Sequence, residues 1–307
     1  MTDILQETPA TETLNFKVET PLQQFVSNFC QSKIAIGALI VFGIIVFIAL
    51  FAPFISPTNP YDLATVSILD AKLPPGSKSL SGVTYWLGTD GAGRGLLSSI
   101  FYGLRISLGV GVMSAVIALC FGATMGLVAA YYGGKVDTVI MRIVDIQLSF
   151  PSILVALILL AALGKGVDKI TIALVIVQWA YYARTVRASA LVERNKEYVE
   201  AATCLALSDR RILFRHLLPN CLPPLIVVGT VQTAHAISLE ATLSFLGVGL
   251  PITEPSLGLL IANGFEYMLS GKYWISFFPG VALLITIVSI NLVGDQLRDV
   301  LNPRLQR

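Results

Sequence analysis

The chain contains more long apolar runs than a water-soluble core of its size can absorb. The first begins at Ile34 and continues to about Phe54, and further runs cover about 107–131, 139–163, 221–246 and 275–293. A bilayer crossing needs about 20 predominantly apolar residues, and soluble core helices are seldom that long and uncharged. Composition points the same way: 55% of residues are hydrophobic and 13% charged, against roughly 25% charged in a soluble domain. A further run, about 170–185, is short and ends in Arg184 and Arg187. It is expected to continue as one helix past the bilayer with both arginines reaching the headgroups. The predicted fold class is an all-α membrane protein with six transmembrane helices spread over 34–303. A polar tail precedes them (1–33) and a short basic tail follows (304–307).

The remaining segments carry smaller expectations. Pro21 can open a short helix placing Leu22, Phe25, Val26 and Phe29 on one face, read either as an interfacial elbow or as a plain juxtamembrane helix. The first apolar run is too long for the core of a cleaved signal. About fifty residues rich in Pro, Gly, Ser and Asp separate the first two spans. Pro151 should kink the third span. Arg142 and Asp145, three residues apart, read as an ion pair at its entry. Cys30, Cys120, Cys204 and Cys221 have no metal-ligand or disulfide spacing, so no cofactor or metal is expected. The net charge of +2 gives no footing for nucleic acid.

Lysines and arginines of one set of connecting segments, among them Arg194, Arg210, Arg211 and Arg215, outnumber those of the other set about two to one. Both termini and the stretch around 186–218 are therefore expected to be cytoplasmic. Within that stretch, Glu197 to Leu205 suits a short helix with a small apolar face. Ser208 is placed to cap a second helix, on which Arg211 and Arg215 share a face. Such a hairpin reads equally as a docking device for a partner groove and as a charged loop that only fixes topology.

The same residues resemble a family loop. Glu200, Ala201 and Ala202 open, and Leu218 and Pro219 close, the EAA loop of bacterial ATP-binding-cassette (ABC) importer permeases, with Ala206 where the family has glycine and His216 where it has Ile or Val. The segments LGTDGAGRG (87–95), YGLRISLGVG (102–111), YYGGKVDTVIMRIVDI (131–146), LSFLGVG (243–249) and GDQLRDVLNP (294–303) resemble the dipeptide/oligopeptide/nickel branch of that family. Gly95 and Asn302 replace the usual Asp, and Leu257 replaces Trp. The resemblance implies a non-catalytic inner-membrane subunit that pairs with a second homologous permease. It also implies two ABC ATPase subunits and an extracytoplasmic solute-binding protein, with a peptide or similar small solute as cargo. ATPase docking then falls to Glu200, Ala201, Ala202, Ala206, Ser208, Arg211 and Arg215, and a left-handed turn at position 206 would strain alanine.

No Gly-Lys pair lies in a G-x-x-x-x-G-K-[ST] phosphate loop, so ATP chemistry belongs to another chain. His235 and Glu240 are ionisable residues inside the fifth span. They either line the path or its outer gate, or are a partner-bonded pair near the outer end of the helix that stabilises the bundle, and the second reading is favoured. The competing functions are a stand-alone secondary transporter or channel, which would show paired broken helices, and a membrane hydrolase, for which the nucleophile motifs are lacking.

Overall fold

The computed structural model describes residues 20–61, 66–79, 82–251 and 253–301, without the side chains of Pro21 and Leu22. The expected terminal tails before residue 20 and after 301, with Asn302, lie outside the described residues. Helix α1 (Pro21–Cys30) opens at Pro21 behind a capping box, in which Thr20 and Gln23 satisfy each other's backbone N–H groups. Phe29 is buried beside Ala35 and Val300, while Val26 faces outward. Helix α2 (Lys33–Ile55) covers the first apolar run. Its buried stripe is Ala35, Ala38, Ile45, Ala49 and Ala52, and larger residues such as Leu50 and Phe54 point away from the protein. A helix apolar on every side belongs in lipid.

The segment between α2 and the next long helix is built, not loose. A two-stranded antiparallel hairpin, β1 (Ser77–Lys78) with β2 (Thr84–Tyr85), is followed by a Thr89–Gly95 bridge. Asp90 holds that turn: Oδ1 accepts from the Ala92 and Arg94 N–H groups at 2.9 Å, and Oδ2 receives the Arg94 Nε at 2.7 Å. Both side chains are buried, at 1% and 8% exposure. Lys72 lies 4.2 Å over the ring of Tyr267, joining the segment to the chain just before the last helix.

Helix α3 (Leu96–Tyr132) has 37 residues, about 55 Å at 1.5 Å per residue. It starts eleven residues before the predicted span, because Asp90 and Gly95 already order its entry. Gly122 and Gly126 form the small-x-x-x-small pattern of close membrane helix packing. A Cβ at Gly122 would fall on the Trp179 carbonyl oxygen, and one at Gly126 on that of Ala183. Both carbonyls belong to α6 (Val167–Glu193), which is continuous through the predicted fourth span and beyond it.

The third predicted span is broken. Helices α4 (Gly134–Leu148) and α5 (Ser152–Leu163) meet at 91° across Ser149 to Pro151, a larger departure than the expected proline kink. Gln147 stitches the break to α6: its Nε2 donates to the carbonyls of Ile176 and Val177, and its Oε1 accepts from Trp179 Nε1 at 2.7 Å. The expected Arg142–Asp145 pair is corrected here. Asp145 bonds Arg184 at 2.5 Å, and Arg187 grips Asp137 through two hydrogen bonds of 2.5 and 2.6 Å. Helix α6 runs alongside α4, so its arginines find carboxylates before they need the headgroups.

After α6 come α7 (Glu197–Cys204) and a single turn, α8 (Asp209–Arg211). That turn passes through a π-helical segment, Ile212–Leu217, into α9 (Leu218–Phe245). A short helix absent from the sequence reading, α10 (Leu257–Phe265), packs between α9 and the last helix, α11 (Trp274–Leu301). It is capped by Ser256 and pressed so close that a Cβ at Gly258 would strike Ala241. Among the described residues four helices, α2, α3, the unit Asp209–Phe245 and α11, are long and apolar enough to cross a membrane, or five if the bent pair counts as one. Gln178, Arg184 and Arg187 keep α6 out of that set despite its 27 residues.

Candidate functional site: the hairpin and the adjoining groove

The hairpin presents two faces. Its inner face is part of the bundle core: Val199, Ala202, Ile212, Leu213 and Leu217 are buried with Leu127, Ala130, Val186 and Ala190. Its outer face carries Glu197, Glu200, Ala201, Cys204 and Leu205, with Leu205 74% exposed. Ala202, one of the expected docking residues, lies on the inner face. It is 4% exposed and fills a place against the protein's own helices, because positions 199 and 202 share a helical face.

The turn settles how Ala206 is accommodated. Ala206 has φ of +53°, the left-handed conformation that glycine adopts without penalty. Its N–H bonds the Thr203 carbonyl at 2.9 Å and the Leu207 N–H bonds that of Ala202 at 3.2 Å. Those two bonds form a Schellman cap on α7. Alanine thus holds the glycine conformation at a cost of about 1 kcal/mol. The expected result for Ala206→Gly is an increase in stability of about 1 kcal/mol, read from the thermal unfolding of the purified protein. A decrease would show that the turn is not left-handed.

Ser208 occupies the N-cap position of α8, but its side chain makes no capping bond; its carbonyl accepts from Arg211 and Ile212 instead. Arg211 and Arg215, with Arg210, Phe214 and Ser208, line a concavity of about 440 Å³. Glu200 lines a second one of about 590 Å³ with Arg194, Thr203, Cys204 and Asp209.

Several residues that fix the hairpin carried no signal in the sequence. Tyr131 and Tyr132, at the end of α3, donate to the two carboxylate oxygens of Asp209 at 2.8 and 3.1 Å. Arg194 donates to the Ala130 carbonyl at 2.9 Å, a cation at a helix C-terminus. Tyr198 donates to Glu193 at 2.9 Å and accepts from Asn220 at 3.2 Å. Burial and then the Glu193 carboxylate push the Tyr198 phenol up to about 12, so it remains a donor at neutral pH. The aromatic pair in YYGG is visible as a sequence, but its partner lies 77 residues away.

A groove of about 890 Å³ runs beside the hairpin between α6, α9 and α11, lined among others by Tyr181, Arg184, Asn220, Gln232, Asp295 and Arg298. His235 and Glu240 are not bonded to each other. Glu240 is fully buried near the far end of α9, accepting from Ser107 at 2.8 Å and Ser244 at 2.7 Å, whereas His235 faces outward.

The chain is thus a bundle of membrane-length helices joined to a polar hairpin that is buried on one side and bare on the other. Residues 122–307 match the family described as "binding-protein-dependent transport system inner membrane component", and residues 20–75 match the "N-terminal TM domain of oligopeptide transport permease C". The chain belongs to this family. It is 36% identical to the dipeptide transport system permease protein DppC of Haemophilus influenzae over 96% of this chain and 98% of that protein. It is 40% identical to DppC of Escherichia coli (94% and 95% covered) and 38% identical to the oligopeptide transport system permease protein OppC of Bacillus subtilis (91% and 88%). Its fold is similar to inward-facing structures of the MetNI methionine ABC transporter. One covers 67% of this chain and 98% of that chain, with a TM-score of 0.54 at 20% identity; a second has a TM-score of 0.51.

Proposed function

We propose that this chain forms one half of the translocation pathway of an ATP-driven peptide importer in the bacterial inner membrane, and that its hairpin receives the ATPases. The peptide cargo rests on the kinship with dipeptide and oligopeptide permeases. Six crossings follow if α6 and the bent α4–α5 pair each count once, which puts both termini and the hairpin in the cytoplasm, as the arginine distribution favours. A second homologous permease closes the groove along α9, two ABC ATPase subunits sit below, and an external binding protein delivers cargo. The domain is then 34–303, with the coupling loop at about 186–218.

The observation that carries the reading is the bare face of α7. Glu200 and Ala201 lie exposed beside Leu205, an isolated apolar side chain in a polar setting, while the opposite face locks the helix to the bundle. The left-handed turn at Ala206 and the basic concavity of Arg211 and Arg215 flank that face. A helix so mounted can be pushed by a partner without unfolding.

The test uses the tagged chain co-expressed with its companion permease, ATPases and binding protein. Ala201→Trp and Leu205→Asp should each lower ATPase co-purification about tenfold or more, as for a central interface contact. Membrane level and permease pairing should stay unchanged. ATPases retained at the normal level in both variants would mean that the hairpin is not the docking element.

A further inference from the structure

The path from the hairpin into α9 has a weak point. From Asp209 to Phe245 the chain is one continuous helical unit, yet Ile212–Leu217 is wound as a π-helix. Such a segment has poorer packing along its axis than α-helix and is a common site of local adjustment. A push on α7 and α8 would be partly absorbed in these six residues before reaching α9.

The structure provides a bypass. Asp209 lies on the hairpin side of the π segment, and both of its carboxylate oxygens are held by the last two residues of α3. The Tyr131 and Tyr132 rings brace each other edge to face, with centroids 5.2 Å apart. Two donors on one carboxylate restrict it in direction as well as distance, which a single bond does not. Helix α3 is in turn fastened to α6 through the Gly122 and Gly126 contacts. Displacement of Asp209 is thereby delivered to the pair α3–α6, around the π segment.

We propose that Asp209, Tyr131 and Tyr132 form a force-bearing latch, positioning residues that carry hairpin motion into α3. The proposal rests on the reading of the hairpin as the ATPase-docking element. It deepens that reading by separating docking, on the exposed face of α7, from transmission, on the edge of the hairpin that faces α3.

The experiment uses the complete transporter in proteoliposomes, with Asp209→Ala, Asp209→Glu and the double variant Tyr131→Phe/Tyr132→Phe. The double variant keeps both rings and removes only the hydroxyls. The expected result for Asp209→Ala and the double variant is normal membrane level, normal ATPase retention and normal basal ATP hydrolysis. Stimulation of hydrolysis by the binding protein should fall about tenfold, within the usual range of coupling between distant sites. Asp209→Glu, which keeps the acceptor, should restore most of the stimulation.

Unchanged stimulation in the double variant would overturn the latch. So would loss of ATPases, which would make these residues part of docking, or loss of the permease itself, which would make them a structural anchor. If Ala201→Trp still releases the ATPases while the latch variants behave as wild type, the latch alone fails. If Ala201→Trp and Leu205→Asp both release nothing, the docking reading fails first.

Discussion

Tryptophan at position 202 is expected to collapse the hairpin, whereas tryptophan at 201 should leave it folded. The two alanines are adjacent in the EAA string and indistinguishable by composition, but they face opposite ways. Ala202 is 4% exposed within a cluster that includes Ile212, Leu213 and Ala190, whereas Ala201 is exposed. An indole forced into that cluster must push α7 off the ends of α3 and α6. Overpacking of this kind costs roughly 1–3 kcal/mol, and the size of the Ala-to-Trp change places it at or above the upper end. The check is limited proteolysis at the exposed arginines of the hairpin, Arg210 and Arg211. Cleavage should be fast in Ala202→Trp and as slow as in the unmodified protein in Ala201→Trp. Equal protection in both variants would mean that position 202 has room that the structure does not show.

The second large effect is expected at the opposite end. Asp90→Ala removes the partner of a buried guanidinium and the one oxygen, Oδ1, that accepts from the backbone N–H groups of both Ala92 and Arg94. Breaking a buried ion pair from one side costs roughly 3–5 kcal/mol, because the surviving charge has neither water nor a counter-ion. The loss should appear as a drop in thermal stability and as proteolytic nicking between α2 and α3. Because much of the penalty is the orphaned charge, the double variant Asp90→Ala/Arg94→Leu should recover part of it. A single variant as stable as the parent would show that Arg94 reaches solvent.

Much of the architecture is written in hydropathy. The runs that became α2, α3, α9 and α11 are long, with His235 and Glu240 of α9 their only ionisable residues apart from cysteine and tyrosine, and little besides a membrane crossing suits them. At Ala206 the family resemblance raised the question of a left-handed turn without answering it, and alanine here adopts that conformation. What was hidden depends on neighbours. The choice of Arg184 over Arg142 as partner for Asp145 is made by helix packing, since local spacing offered only Arg142 and Arg184 lies 39 residues away. The inward face of Ala202 needed the phase of α7, and an eight-residue helix is too short to reveal its phase by periodicity. Helix α10 has only nine residues, and its apolar character suits a buried loop as well as a helix. Glu240 was expected to bond within the bundle; its partners, Ser107 and Ser244, could not be chosen among the many hydroxyls of the spans.

The right angle between α4 and α5 bears on wetting. Helix α5 has twelve residues and rises about 18 Å, well short of the roughly 30 Å of hydrocarbon. Backbone at Ser149 to Pro151 leaves regular helix, and where such a break falls at membrane depth it is tolerated only against protein or water. A solitary copy of this chain would have to draw water inward or thin the lipid beside the break. A facing protein surface would remove both penalties, so at such a depth the elbow would make hydration of the chain depend on what stands beside it.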